Sequence, residues 1–433
     1  MLTAPSSSYG ALSATSANTI QGSRPGFTGQ SGAKKLGFKI GNTTYSESEG
    51  NLSPSSSGVI NYLNAGLRLD EFEVMNLTAS DFSPMVDYAD ADGDVAHPTA
   101  AFSMSPRTYV WKDRNGITIT NYNQTLGCGS SLNLPLTLRI TLPNVKVKSR
   151  YGNPSESLST ELVQEYKIGT ATGICFAKPN QMIVRPNNSW VNGSSLVWNS
   201  GSSTPTPAGG GGYSSDFDPV NGFKASADPK FPTTGFPKAS FTLIMTSNAS
   251  DYTFSSDDSA VIVDTGGKVT LNSKPSGAVT IKAIYKNDTN QVHYYTFNPT
   301  TVWVVPKRNP AETYGRYYYD EAKTLCGGEL KIPTRADLTN SPQIGHPGGT
   351  TVPGNASTRA IDGSVFGEWG WADTTSYQGS QWVSSTSSGS VFLSGYYWTR
   401  DVWSSGFRFT VHFSGGHLTY HSVSNIHYVA CLG

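Results

Sequence analysis

Short runs of alternating apolar and polar residues, separated by dense turns, are the feature of this sequence that most constrains its fold. Tyr109–Lys112 and Ile117–Thr120, for example, flank Asp113-Arg114-Asn115-Gly116, and Asn-Gly between alternating runs is a strong signal for a β-hairpin. The 433 residues include 45 Gly and 25 Pro, which favour turns over long helices. Because one domain typically has about 100–200 residues, the pattern predicts a mostly β protein of several domains.

The spacing of strands and turn residues divides the chain into five segments. Residues 1–65 are rich in Ser and Gly and contain only a few strand-like runs. Residues 66–198 have the strand spacing of an Ig-like β-sandwich, and residues 199–237 are rich in Pro and Gly, which predicts a linker or a long loop. Residues 238–299 are typical of a small bacterial Ig-like domain. Residues 300–433 differ in character and hold most of the tryptophans.

Charge and hydropathy exclude several classes of protein. Lys plus Arg and Asp plus Glu both number 31, so the net charge is zero, whereas a nucleic-acid-binding protein needs a basic surplus or stripe. No apolar run reaches the about 20 residues that span a bilayer, and residues 1–7 lack the features of a secretory signal. Since the remainder has the composition of a secreted protein, we expect an extracellular piece of a longer protein, with any membrane anchor outside it.

The four cysteines fall into two sets, one in each half of the chain. None belongs to a Cys-x-x-Cys pair, so zinc binding or thioredoxin-like chemistry has little support. We predict the disulfides Cys128–Cys175 and Cys326–Cys431, because an extracellular location favours disulfides. The alternative is four buried free thiols.

The last segment, residues 300–433, resembles the C-type-lectin-like domain. The resemblance is carried by Asp320–Cys326, Gly327–Leu338, Tyr397-Trp398-Thr399 and Tyr428–Leu432. In that fold a disulfide ties the first helix to the final strand, which matches the predicted Cys326–Cys431 bond. The resemblance implies an α+β domain at the C-terminal end, after tandem Ig-like β-sandwiches.

The order of these domains resembles the passenger region of invasin- and intimin-type enterobacterial adhesins. The middle of the chain is also similar to the large repeat-bearing adhesins of Salmonella and related bacteria, through Asp216–Lys224, Phe231–Phe236 and Arg150–Pro154. The resemblance implies a virulence-associated cell-adhesion protein displayed on the bacterial outer membrane. Its Ig-like stalk would present a lectin-like tip that binds a host cell-surface protein or glycan.

Aromatic residues in Gly- and Ser-rich loops are the strongest candidates for the contact surface. Exposed Trp and Tyr act as binding anchors because they bury a large area and lose little rotamer freedom. The candidate binding residues are Trp369, Trp371, Trp382, Arg400, Asp401, Trp403, His412 and His421. The alternative is that most of the indoles fill the core, as we expect for Trp398.

Four of the seven histidines, His412, His417, His421 and His427, lie near the end of the sequence, in or next to the last predicted hairpin. With Gly415-Gly416 as a two-residue turn, His412 lies opposite Thr419 and Thr410 lies opposite His421. The imidazoles then share the solvent face of the hairpin, either as a polar recognition face or as a plain solvated one. Two of them could bind zinc, but a zinc site needs a third or fourth ligand.

Metal binding and catalysis have weak support elsewhere. The lectin-like segment lacks the Glu-Pro-Asn or Gln-Pro-Asp loop of calcium-dependent sugar-binding relatives. Asp90, Asp92 and Asp94 around Gly93 are weak candidates for Ca²⁺, and the alternative is an exposed acidic turn. Gly-x-Ser-x-Gly, His-Glu-x-x-His and phosphate-loop motifs are missing from the sequence. We therefore expect a protein that is not an enzyme and that requires no cofactor.

Three functional hypotheses follow from these observations. The first is an adhesin tip that binds a host receptor and needs neither nucleic acid nor membrane insertion, and this protein is expected to be monomeric. The second is a structural module that extends a fibre and self-associates. The third is a receptor-binding protein of a phage or a toxin.

Overall fold

The computed structural model consists of two compact units. The first unit lies within Met1–Asn61, Leu67–Gln124 and Pro135–Gly169, and the second within residues 62–66, 125–134 and 170–433. The structure describes residues 22–27, 30–52, 59–62, 67–83, 87–99, 101–130, 132–184, 210–307, 315–342, 344, 355–383 and 395–433.

The first unit consists of strands β1 to β11, a helical turn α1 and two short 3-10 helices, Leu69–Glu71 and Ala79–Asp81. The bounds are β1 Gly26–Phe27, α1 Gln30–Ala33, β2 Phe38–Ile40, β3 Thr43–Tyr45, β4 Val59–Tyr62, β5 Glu73–Val74, β6 Tyr88–Ala89, β7 Phe102–Ser103, β8 Thr108–Lys112, β9 Thr118–Ile119, β10 Leu136–Val147 and β11 Thr160–Thr170.

The main sheet of the first unit has the strand order β4-β11-β10-β8-β9, and β7 also pairs with β10. Alternate side chains of β10 are buried, because successive residues of a strand point to opposite faces. The predicted hairpin is confirmed: β8 pairs with β9, Asp113 Oδ1 accepts a 2.8 Å hydrogen bond from the Ile117 amide, and Gly116 has the positive φ of 81° that this turn requires.

The second unit contains strands β12 to β26, helices α2 to α4 and the 3-10 helices Ala249–Asp251 and Glu329–Lys331. The bounds are β12 Ile174–Pro179, β13 Phe217–Asp218, β14 Gly222–Lys224, β15 Thr234–Gly235, β16 Ala239–Met245, β17 Tyr252–Ser256, β18 Val261–Val263, β19 Lys268–Leu271, β20 Val279–Tyr285, β21 Val292–Phe297, β22 Val302–Lys307, α2 Tyr319–Cys326, α3 Arg335–Leu338, α4 Val365–Trp369, β23 Tyr396–Ser404, β24 Phe407–His412, β25 Leu418–Ser422 and β26 Val429–Leu432.

Within the described residues of this unit, the strands form four sheets. Their strand orders are β13-β14-β12-β16-β19-β18, β17-β20-β21, β15-β22-β26 and β23-β24-β25. One continuous apolar core joins side chains from the sheets before residue 300 to side chains of the C-terminal part, such as Trp369, Trp382 and Tyr397.

Strands β13, β14 and β15 lie inside residues 199–237, where the sequence predicts a linker or a long loop. Four phenylalanines anchor this segment: Phe217, Phe223, Phe231 and Phe236 are all buried in the core. Phe223 and Phe231 stack with ring centroids 4.6 Å apart. Burial of several aromatic side chains therefore outweighs the local preference of Gly and Pro for irregular structure.

Strand β12 is a second difference from the sequence-based expectation. It lies within the predicted 66–198 sandwich, yet it pairs with β14 and β16 of the second unit. The five predicted segment boundaries stay a prediction.

Both predicted disulfides are present. Cys128 bonds to Cys175 with a Cα–Cα distance of 5.5 Å, and Cys326 bonds to Cys431 with a Cα–Cα distance of 5.3 Å. The second bond ties the C-terminal end of α2 to β26, the last strand. Gly327, in the left-handed conformation with φ of 80°, ends α2, as glycine commonly does after a helix.

The predicted fold class is confirmed, since the described chain is mostly β with short helices, and its C-terminal part is α+β with the first helix bonded to the last strand. Among the described residues, every helix is too short and too polar to cross a bilayer.

Candidate binding surface

Two of the predicted contact residues, Trp369 and Trp382, are completely buried. Their indoles pack edge-on against Phe236, with ring centroids at 5.3 Å and 5.2 Å. The Trp369 Nε1 also donates a 3.1 Å hydrogen bond to the Thr234 carbonyl oxygen. The expectation that these two indoles are exposed is therefore wrong, because aromatic residues about 135 positions earlier in the chain supply a core that loop composition does not reveal.

Trp371 is half-buried and lies against Phe413, with ring centroids 5.7 Å apart. Trp398 is buried as expected, and its Nε1 donates a 2.9 Å hydrogen bond to the Tyr317 carbonyl oxygen. These contacts leave Trp403 as the predicted contact tryptophan with the largest exposure among those described.

Trp403 lies near the end of β23 with 43% of its surface exposed. Its ring stacks on Tyr420, with centroids 4.5 Å apart and an interplanar angle of 14°, and meets the edge of Phe409 at 5.4 Å. Phe407, which is 36% exposed, approaches Tyr420 at 6.2 Å. We name Trp403, Phe407, Phe409 and Tyr420 the aromatic tip.

Three strands position the aromatic tip. Trp403 is on β23, Phe407 and Phe409 are on β24, and Tyr420 is on β25 directly opposite Phe409 in the antiparallel register. Side chains two residues apart share one face of a strand, so Phe407 and Phe409 lie on the same face, where Phe407 contacts Tyr420 and Phe409 contacts Trp403. Phe407 and Tyr420 are not among the contact residues predicted from the sequence, although alternating apolar residues along Phe407–His412 and Leu418–Ser422 indicate that each strand has an apolar face.

The predicted polar neighbours Arg400 and Asp401 are half-buried and bind backbone groups. Arg400 Nη1 donates a 2.8 Å hydrogen bond to the Leu330 carbonyl oxygen, and Asp401 accepts a hydrogen bond from the Arg335 amide. The Arg335 guanidinium lies 4.8 Å from the Phe409 ring centroid. The two hydrogen bonds hold β23 against residues 330–335, and the Arg335 guanidinium packs on the Phe409 ring of the aromatic tip.

The last hairpin differs from its predicted register by two residues. Val411 lies opposite Leu418 and Thr410 opposite Thr419, so the connection is longer than a two-residue turn. Its shape is set by tertiary contacts: Ser357 donates its amide to the Gly415 carbonyl oxygen at 2.7 Å, and the Thr339 hydroxyl donates to the Gly416 carbonyl oxygen at 2.6 Å.

The imidazoles do not share a solvent face. His412, His417 and His427 are buried, and His421 is half-buried, so the predicted solvent-facing arrangement is wrong. His421 Nδ1 and the Thr410 hydroxyl share a hydrogen bond of 2.8 Å. Burial lowers the pKa of His421 to about 4, because the charged imidazolium loses its hydration.

The second unit also contains a buried polar network centred on Glu368 of α4. The Glu368 carboxylate is completely buried and accepts hydrogen bonds from the amides of Thr233 and Thr234, both at 2.9 Å. The Arg359 guanidinium, also buried, donates to the Glu368 carbonyl oxygen at 3.0 Å. Burial raises the pKa of Glu368 to about 7, so this carboxyl connects α4 to β15 at an energetic cost when it ionises.

Stability of the second unit should therefore carry a pH-dependent contribution from Glu368. Its pKa is raised in the folded state, so the contribution is fully present below the unfolded value near 4.5 and is lost as pH rises through about 7. We expect the unfolding free energy of wild type, relative to Glu368→Gln, to fall by about 2–3 kcal/mol between about pH 5 and about pH 8. The contribution of the buried histidines runs in the opposite direction, but it is common to both proteins and cancels.

Urea unfolding at a series of pH values measures this difference. Glu321→Gln, at an exposed glutamate of α2, controls for the loss of a charge. A wild-type-minus-variant difference that does not change with pH would contradict the prediction.

The acidic turn in the first unit brings the weak calcium candidates together. One ligand oxygen from each of Asp90, Asp92 and Asp94 lies within 4.8 Å of the others. Burial, and then the charges of Asp90 and Asp92, raise the pKa of Asp94. The Ser23 hydroxyl donates a 3.0 Å hydrogen bond to Asp92. Three carboxylates are fewer than the six to eight oxygens that Ca²⁺ takes, so calcium binding stays a weak prediction.

The structure is therefore a series of β-sheets followed by an α+β module whose first helix is disulfide-bonded to its last strand and which exposes aromatic side chains. Residues 215–297 match the family model "Invasin, domain 4". The chain is 30% identical to invasin of Yersinia enterocolitica over 186 residues, which are 42% of this chain and 18% of that protein. These matches confirm the predicted resemblance to invasin- and intimin-type adhesins.

Solved structures give two further comparisons. The crystal structure of invasin, a bacterial integrin-binding protein, matches with a TM-score of 0.38 and 18% identity, covering 79% of this chain and 53% of that one. A C-terminal 282-residue fragment of intimin, solved with the intimin-binding domain of the translocated intimin receptor, matches with a TM-score of 0.32 and 15% identity, covering 76% of this chain and all of that one.

Proposed function

We propose that this chain is the receptor-binding part of a bacterial surface adhesin and that its C-terminal module binds a host cell-surface protein through the aromatic tip. The observation that carries the proposal is the exposure of Trp403, held by stacking on Tyr420 at the end of a strand. A large aromatic ring that is held in place and exposed loses little entropy on binding and buries a large area. The two predicted Ig-like segments, residues 66–198 and 238–299, then serve as a stalk.

A protein partner fits the aromatic tip better than a glycan does. Sugar recognition combines an aromatic face with several free polar groups that hydrogen-bond to hydroxyls. Here the neighbouring polar side chains Arg400 and Asp401 bind the backbone of Leu330 and Arg335. The surroundings also include exposed apolar side chains, Val402 at 57% and Leu330 at 77%, which suit an apolar protein surface.

Trp403→Ala is expected to weaken binding of the full chain to host cells by roughly 30-fold, since a central aromatic anchor typically contributes about 2 kcal/mol. Labelled wild type and variant would be titrated onto cultured cells and onto cells from which surface glycans have been removed. The matched control is Tyr294→Ala, because Tyr294 is a 62% exposed aromatic of β21 in the same unit.

Equal binding by wild type and Trp403→Ala would contradict the role of the aromatic tip. Loss of wild-type binding after deglycosylation would contradict a protein receptor and favour a glycan. The 30% identity to invasin over 186 residues supports the adhesin part of the proposal.

A further inference from the structure

His427 is a buried imidazole whose two ring nitrogens both lack a hydrogen-bond partner among the residues that the structure describes. Only 4% of its surface is exposed. Its ring lies 4.7 Å from the Trp398 ring and 4.3 Å from the His421 ring, measured between centroids. Leaving buried polar atoms unpaired costs free energy, so an arrangement of this kind calls for a physical explanation.

The main chain at His427 and Tyr428 forms hydrogen bonds to two other elements of the C-terminal module. Its amide and carbonyl pair with those of Tyr317, at 3.0 Å and 2.8 Å, just before α2 begins. The next residue, Tyr428, donates its amide to the Tyr396 carbonyl oxygen of β23 at 2.9 Å. Residues 427 and 428 therefore connect the segment just before α2 to β23 through main-chain hydrogen bonds.

The groups that face the two imidazoles are positive or neutral. Arg316 adds a positive charge near His427, and Tyr396 contacts both imidazoles and the ring of His412. Arg408 lies opposite His421 in the strand register, and its ion pair, at 3.3 Å, is with Glu329. Among the described residues, no carboxylate forms an ion pair with either imidazole.

We propose that His421 and His427 form an acid-sensitive latch, which is closed while both imidazoles are neutral and which opens β25 and residues 423–428 when they are protonated. Protonation creates two imidazolium charges whose ring centroids are 4.3 Å apart, in a largely buried site beside Arg316. No carboxylate of the described residues compensates them through an ion pair, so the charged state is relieved by separation of the strands.

The pKa shifts of His421 and His427 have the direction that this proposal requires. Burial lowers the pKa of His421 to about 4, and burial, then His421, then Arg316 lower that of His427. Folded-state pKa values below the unfolded value mean that the stabilising contribution is present above about pH 6.5 and is lost as pH falls toward about 4.

The latch also has a consequence for the aromatic tip. Tyr420, which stacks on Trp403, immediately precedes His421 on β25. Opening of β25 therefore separates the two rings. The latch is a property of the module itself, so it is tested without any receptor and does not depend on the proposed function.

Hydrogen–deuterium exchange of the full chain, compared at about pH 7.5 and about pH 4.5 after correction for intrinsic rates, tests the latch. We expect amide protection in residues 418–429 to fall about 10-fold or more at the lower pH. The double variant His421→Asn/His427→Phe keeps a polar atom toward Thr410 and an aromatic ring beside Trp398, and it should lose most of this acid response. His97→Asn, in the first unit, is the control and should behave as wild type.

Equal protection at the two pH values, or an undiminished acid response in the double variant, would overturn the latch. If the double variant does not fold, the ring C–H resonances of wild-type His421 and His427 decide by NMR titration. Midpoints well below about 6 for both rings support the latch, and ordinary midpoints near 6.5 overturn it.

Discussion

Replacing the Cys326–Cys431 disulfide with two alanines should destabilise the second unit by about 4–5 kcal/mol, the largest loss of stability that we expect for this unit. The bond joins cysteines 105 positions apart, and a cross-link over a loop of about that length removes much of the conformational entropy of the unfolded chain. It also fixes α2 against β26, so its loss should release both elements. Urea unfolding with and without the substitutions measures the difference.

The Cys128–Cys175 bond is the matched control for this prediction, because it belongs to the same unit and joins cysteines 47 positions apart. Its removal should cost a similar amount, about 4 kcal/mol, by the same entropic reasoning, but it should leave hydrogen exchange in α2 and β26 unchanged. A loss below about 1 kcal/mol on removing Cys326–Cys431 would show that the packing of α2 against the sheet does not need the cross-link.

Trp369→Ala is expected to destabilise the second unit by about 3–5 kcal/mol, the usual range for removing a buried tryptophan from a core. The indole is completely buried, contacts Phe231 at 4.8 Å between centroids, and donates to the Thr234 carbonyl oxygen. Removal of the indole would leave a cavity between Phe231 and Phe236 on one side and Tyr377 on the other. We therefore expect both parts of the core to be destabilised.

Two comparisons sharpen this prediction. Trp369→Phe keeps most ring contacts but loses the N–H group, and we expect about half the loss of the alanine variant. Trp403→Ala removes a partly exposed indole and should cost no more than about 1 kcal/mol of stability. The interpretation of Trp369 as a core residue would be wrong if Trp369→Ala and Trp403→Ala unfolded at the same urea concentration.

Local signals predicted several elements of this protein correctly. The Asn115-Gly116 hairpin follows from residues that lie close together in sequence, and helix α2 with its Cys326–Cys431 bond matches the family resemblance. The Cys128–Cys175 bond follows from the division of the cysteines between the two halves of the chain. Turn chemistry and helix ends depend on neighbouring residues, which a single sequence displays directly.

The errors concern contacts between residues far apart in the chain. Trp369 and Trp382 occur among Gly and Ser, and the Phe236 ring that buries them is more than 130 positions earlier. Four phenylalanines in residues 199–237 were the available signal that this segment packs into a core. The register of the last hairpin also depended on bonds from Thr339 and Ser357, which local patterns cannot indicate.

The pairing of β22 with both β15 and β26 has a mechanical consequence if the chain acts under tension, as the proposed adhesin function implies. β22 is the strand through which the chain passes into the C-terminal module, and it lies parallel to β15 and antiparallel to the last strand. Tension that reaches the module through residue 301 acts along the axis of β22. The hydrogen bonds on both sides of that strand are then loaded together in shear, so the applied force is shared among them instead of breaking them one after another.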